Sequence, residues 1–168
     1  EVNGHVWTSP DDYIIEIAEV PEGLAQADPE HADQYLANAD EYIGKVDDLL
    51  VTNADCMLAV RGMSVLVIDE TLPSFCEWLG LEYEMVETDH EQSALSAGDN
   101  ADIIDWMNTN GVSVIFVSAD SDTAIADAIA SESGATVYVM NTCMTGEVTS
   151  DAYLEQMYSE VSQMYRLG

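Results

Sequence analysis

The side chains that could do chemistry in this chain are few, and most of them are oxygen or imidazole donors. His5 stands in a loop, Gly4-His5-Val6-Trp7, which is an odd setting for a core histidine. Asp69 and Glu70 close the run Met63-Ser64-Val65-Leu66-Val67-Ile68, in which five of six residues are apolar. Such a run reads as a strand of a parallel sheet with both faces covered. Ligand sites in open α/β sheets gather just outside the carboxyl ends of such strands. Imidazole and carboxylate in that position point to cation binding. Each residue also has a plainer reading. Loop histidines are often ordinary surface residues, and a strand-end aspartate often only caps the next helix, which here begins near Thr71. His90 lies in a polar stretch and His31 in the first turn of a helix, where both read as solvated.

Other chemistries are set aside by what is missing. No G-x-G-x-x-G or G-x-x-x-x-G-K-[ST] loop follows any strand, and there is no G-x-S-x-G turn. A phospho-accepting aspartate needs a cation near the phosphoryl oxygens. The single lysine, Lys45, lies on a helix ahead of the sheet. No nucleophile–base pair can be proposed from spacing, so an enzyme is not expected. Cys56, Cys76 and Cys143 are odd in number and lack C-x-x-C spacing, which fits neither a disulfide framework nor a zinc knuckle. Cys76, beside Phe75 and Trp78 in a helical pattern, reads as a small buried hydrophobe.

Charge excludes further partners. The 168 residues carry 33 acidic side chains against 3 basic ones, a net charge of −30. Nucleic acid and anionic lipid are bound by neutralising phosphate with Lys and Arg, so neither is an expected partner. A hydrophobic content of 48% still provides for a real core, so the acidity belongs to the surface. It suits solubility or high salt, and predicts stability that rises as salt is added. No apolar run is long enough to span a bilayer. No signal-like segment opens the sequence, which reads as a mature or trimmed form.

Hydrophobic spacing then supplies the elements that must position these side chains. Ser9-Pro10 starts a helix to Ala27, with a kink or break expected at Pro21. Asp28 caps a second, long amphipathic helix that has Pro29 in its first turn, and the chain is expected to leave it over Asn53–Met57. Strands are expected at Ser64–Ile68, Glu82–Val86, Ser113–Val117 and Thr136–Met140. Helices are expected near Leu72–Leu79, Ala101–Asn108, Ser121–Ser133 and Asp151–Tyr165, with Glu87–Asn100 left as a polar stretch. Strands alternating with helices mean βαβ units. The predicted fold class is α/β: a four-stranded parallel sheet flanked by helices, preceded by a long linking helix. One organisational boundary falls near Thr52, dividing 1–52 from 53–168.

The order of landmarks resembles one family. Gly4-His5-Val6-Trp7, a helix, Asp28-Pro29-Glu30-His31 and a long helix rich in Tyr, Ala and Asn are followed by Gly80-Leu81 and Gly111-Val112-Ser113-Val114-Ile115-Phe116-Val117. Ile125-Ala126-Asp127-Ala128-Ile129-Ala130, Ser133-Gly134-Ala135 and Tyr153-Leu154-Glu155-Gln156-Met157 complete the series. Together they resemble the zinc- and manganese-specific solute-binding proteins of ABC transporters, the ZnuA/TroA/PsaA-like group. On this resemblance the chain corresponds to the end of a first lobe, the linking helix and a whole carboxyl-terminal lobe, without the front lobe and its further metal-binding histidine.

The resemblance also implies a site. His5 coincides with the histidine of the family's H-x-W loop, and Asp69 stands where the family has a histidine after the first strand of this lobe. The family's glutamate after the third strand is Ser118 here, with Asp120 two residues on, and the aspartate after the last strand is Asn141. The implied ligand set is therefore His5, Asp69, Asp120 and Asn141, with Glu70, His90 and Ser118 as further candidates. Zinc favours about four N, S or O ligands. This set is richer in hard oxygen, closer to what manganese or calcium accepts. The implied function is an extracytoplasmic zinc- or manganese-binding component that hands its ion to a membrane permease, periplasmic or lipid-anchored. The alternative is an α/β module of the same fold that has lost metal binding and serves as an interaction or structural domain.

Overall fold

The computed structural model describes residues 4–86 and 95–167. A 3₁₀ turn, Val6–Thr8, leads into helix α1 (Pro10–Ala27), and a second one, Pro29–His31, into α2 (Ala32–Val60). The α/β part follows as β1 (Ser64–Val67), α3 (Pro73–Leu79), β2 (Glu82–Met85), α4 (Ala97–Asn110), β3 (Val114–Ser118), α5 (Ala124–Ser133), β4 (Thr136–Met140) and α6 (Ala152–Met164). The strands form a four-stranded sheet in the order β2-β1-β3-β4, and every pairing is parallel. This is the predicted fold class.

Strand alternation explains the two cores. Val65 and Val67 of β1 and Val114 and Phe116 of β3 face a layer made by Leu49, Cys56 and Val60 of α2, by α3, and by Met157, Val161 and Met164 of α6. Leu66, Ile115 and Val117 point the other way, onto Met107 of α4 and Ile125, Ala126 and Ile129 of α5. The middle of β1 and all of β3 are buried because helices cover both faces. Cys76 is fully buried, as expected, and burial pushes its thiol up to about 12.

Several boundaries differ from the sequence reading. The long helix does not end at Asn53–Met57 but runs to Val60, because Asn53, Cys56 and Val60 continue its buried stripe. Asn53 also bonds its Nδ2–H back to the Leu49 carbonyl (2.8 Å), which satisfies a polar side chain inside the helix. No break occurs at Pro21, and α1 continues through it while packed along α2. Helix α4 starts at Ala97 instead of Ala101. Ser96 accepts from the Asp99 N–H (3.2 Å), so Ser96-Ala97-Gly98-Asp99 was a capping signal that the polar composition hid. Helix α5 begins three residues later than Ser121, at Ala124. Asp28 turns its carboxylate to Tyr35 Oη and His31 Nδ1 (both 2.8 Å) and makes no side-chain cap. Gly80 ends α3 at φ 68°, where a side chain would be strained and a Cβ would stand 3.1 Å from Arg61 Cγ.

Candidate metal centre

In a parallel sheet every strand ends on the same side, so the loops after β1, β3 and β4 share one rim. Asp69 and Glu70 follow β1, Ser118 closes β3 with Asp120 beyond it, and Asn141 follows β4. His5 reaches that rim from the front of the chain because its loop is pinned at two places. Trp7 Nε1–H donates to the Thr142 carbonyl after β4 (2.9 Å). The Thr8 hydroxyl reaches the Thr71 carbonyl after β1 (3.1 Å) and the His5 carbonyl (3.0 Å). Tyr153 of α6 fixes the same loop from behind, donating its hydroxyl to the Trp7 carbonyl (2.9 Å). Thr8 is buried, and its bond to Thr71 is an interior one. The His5 ring packs edge-on against Trp7, with centroids 5.2 Å apart.

Asp69 is half-buried and is occupied as an acceptor. Its Oδ1 takes the Thr71 N–H (2.8 Å) and the Thr71 hydroxyl, and its Oδ2 takes the Ser121 hydroxyl from the loop after β3. It does not cap α3, which starts at Pro73 behind Leu72 with no side-chain cap. Asp69 instead closes a turn on Thr71 and ties two strand-end loops together. Asp120 is exposed and similarly engaged: Thr142 Oγ1 donates to it at 2.9 Å and Thr145 Oγ1 at 3.3 Å. Ser118 is buried and accepts from the Asp120 N–H (3.1 Å). Asn141 Oδ1 accepts from the Cys143 N–H (2.9 Å), holding Cys143 at φ 59°. Glu70 is exposed on the rim. His90 lies outside the described residues.

The fold thus brings the His5, Asp69, Asp120, Ser118 and Asn141 segments to one rim. Among the described residues, no group of three or more His, Cys, Asp or Glu side chains stands ready to hold a metal ion. The donor chemistry suits an oxygen-seeking cation, but Ser and Thr hydroxyls already hold the carboxylates. Those hydroxyls are the residues the sequence reading missed. Thr71 lies two positions after Asp69, the spacing of a local side-chain turn, whereas Ser121 and Thr142 arrive through the topology and leave no local trace.

Behind the rim, the α6 carboxyl group of Glu160 is buried, bonded by Gln163 Nε2–H (3.1 Å) and by the Asn141 main-chain N–H. Burial pushes its pKa up from 4.5 to about 7, partly countered by the Asn141 bond.

The chain is 25% identical over 138 residues to the high-affinity zinc uptake system protein ZnuA of Bacillus subtilis, covering 82% of this chain and 43% of that protein. It is 28% identical over 116 residues to the protein of the same name in Brucella abortus, covering 69% of this chain and 35% of the other. The chain therefore spans less than half the length of these curated relatives. Among solved structures, the solute-binding protein FpvC of Pseudomonas aeruginosa in complex with Ni2+ superposes with a TM-score of 0.83 at 22% identity, covering 98% of this chain and 63% of that one. The laminin-binding adhesin Lmb of Streptococcus agalactiae gives 0.81 at 22% identity, over 98% and 62%. These likenesses establish the fold. The model of the family described as "Zinc-uptake complex component A periplasmic" matches residues 1–167, and the chain belongs to that ZnuA family.

Proposed function

We propose that this chain is a metal-receptor lobe of an ABC importer whose ligand set has shifted toward oxygen. The observation that carries the reading is the double pinning of the His5 loop, by Trp7 to Thr142 and by Thr8 to Thr71, onto the rim that holds Asp69, Asp120 and Asn141. His5 supplies imidazole, Asp69 and Asp120 supply carboxylate, and Asn141 supplies an amide oxygen, with Glu70, Ser118 and His90 as further donors. Zinc or manganese is the cargo, and the hydroxyls on Asp69 act as a supporting shell that orients it. In this reading residues 1–52 close a first lobe and start the linking helix, and residues 53–168 form the second lobe. The division falls inside α2, which joins the two. The partner is a membrane permease and the location extracytoplasmic; among the described residues no helix is long and apolar enough to cross a membrane.

A second reading rests on a separate observation. The carboxylates of Asp69 and Asp120 are already held by Thr71, Ser121, Thr142 and Thr145, as expected of a fold kept for interaction or structure without metal duty. Elemental analysis separates the two. Protein dialysed against excess zinc or manganese and then against metal-free buffer is expected to retain one equivalent of metal. Failure to retain either metal would overturn the receptor reading and leave the interaction module.

A further inference from the structure

Beside the loop after β4 lies a cleft of about 660 Å³, bounded by α1, α2, the amino end of α6 and the segment 143–150. That volume falls within the range of small-molecule sites. Four aromatic residues from four parts of the chain line it: Trp7, Tyr13, Tyr42 and Tyr153.

Their polar ends are bound within the protein. Trp7 Nε1–H goes to the Thr142 carbonyl (2.9 Å) and the Tyr153 hydroxyl to the Trp7 carbonyl (2.9 Å). The hydroxyls of Tyr13 and Tyr42 lie close enough to influence each other's titration. The rings also brace one another: Tyr13 and Tyr153 have centroids 4.0 Å apart, and Tyr13 and Tyr42 meet edge-on at 6.5 Å. These side chains are fixed before any ligand arrives, and ring surface is what they offer it.

The electrostatics select the ligand. Glu147 lines the cleft. Burial is the main cause that holds the hydroxyls of Tyr13, Tyr42 and Tyr153 protonated, and the charge of Glu16 near Tyr13 and Tyr153 and of Asp151 near Tyr42 pushes the same way. Lys45 reaches Asp151 (3.4 Å) and Glu41 (3.7 Å) and is not among the lining residues. Fixed aromatic rings in a negative field attract a weakly hydrated cation through the ring quadrupole. An anion is repelled there.

We propose that this cleft binds a small quaternary ammonium compound, its cationic head set against the rings of Trp7, Tyr13, Tyr42 and Tyr153. The cleft adjoins the strand-end rim, sharing Trp7 and the loop after β4 with it, but is lined by none of His5, Asp69, Asp120 or Asn141, and the proposal does not depend on the metal-receptor reading.

The probe is choline, titrated by calorimetry at constant ionic strength in the presence of a chelator. Its control is the uncharged isostere in which a tert-butyl group replaces the trimethylammonium. Saturable one-site binding of choline, about tenfold tighter than the isostere, is expected for a cation–π site. Tyr42→Leu should weaken choline by about tenfold, whereas Tyr42→Phe, which keeps the ring, should stay within about threefold. Equal responses to choline and isostere, or no saturable binding of choline, would overturn the proposal whatever the variants do. Undiminished binding in a folded Tyr42→Leu protein would overturn it as well.

Discussion

After β1 the chain gives the carboxylate of Asp69 to three protein donors at a half-buried corner; after β4 it rests Asn141 against a carboxyl group, Glu160, that is buried in the helix layer. The two corners use acid groups in opposite ways. At the first corner, acceptor oxygens tie the β1 and β3 loops to each other, and removing them leaves donors stranded. At the second, the carboxyl group is shut away from water, with the Gln163 and Asn141 donors the ones among the described residues that support its charge, so ionising it works against the fold. The comparison shows that a strand-end rim can be positioned either by satisfying a charge or by suppressing one. Only the second method makes the rim depend on pH near neutrality.

The largest effect should come from that second corner. Glu160 titrates near 7 in the folded chain, above its ordinary 4.5. Below about 4.5 folded and unfolded chains both hold the proton, and the stabilising contribution of the protonated form is complete. Between about 4.5 and 7 the unfolded chain releases the proton while the folded chain keeps it, so this contribution falls as pH rises and is gone above about 7. Glu160→Gln removes the titration. Relative to wild type, the variant should gain on the order of 3 kcal/mol between pH 4 and pH 8, read by urea unfolding. Parallel pH curves for the two proteins would erase the contrast between the corners.

Asp69→Ala comes next. It strands the Thr71 N–H and the Thr71 and Ser121 hydroxyls, of which the hydroxyls can turn toward water, and a loss of about 2 kcal/mol is expected in the same assay. Asp69→Asn, which keeps one acceptor oxygen, should lose about half as much. If the alanine variant is as stable as wild type, Asp69 is not the tie described. Smaller again is Trp7→Phe, which deletes the Nε1 donor to Thr142 together with part of the ring packed on His5, and should cost on the order of 1 kcal/mol. Backbone amide exchange would sharpen it: faster exchange confined to the loops after β1 and β4 is expected, and uniform acceleration would show that Trp7 serves the core and not the rim.

Much of the fold was legible in the residues themselves. The apolar runs Val65–Ile68 and Val114–Val117 announce buried parallel strands, and Gly80, Gly111 and Gly134 end their helices where the periodicity stops. The sequence reading ends the long helix over Asn53–Met57, whereas Asn53 is satisfied within its own helix. The candidate site was legible only in part. Asp69 was visible as a strand end, and His5 as a loop histidine beside Trp7. Asp120 and Asn141 came only through the family resemblance, since nothing in their own neighbourhoods marks them. The hydroxyls that hold Asp69 and Asp120 were invisible because Ser121 lies 52 residues from Asp69 and Thr142 lies 22 from Asp120.

The central claim, that the rim still holds a metal, is tested most directly by calorimetric titration of zinc and manganese into wild type, His5→Ala and Asp69→Ala. One saturable site is expected in wild type, weakened by about tenfold or more in each variant, because each removes a proposed ligand. Equal heats in all three proteins, or no saturable heat in wild type, would contradict it.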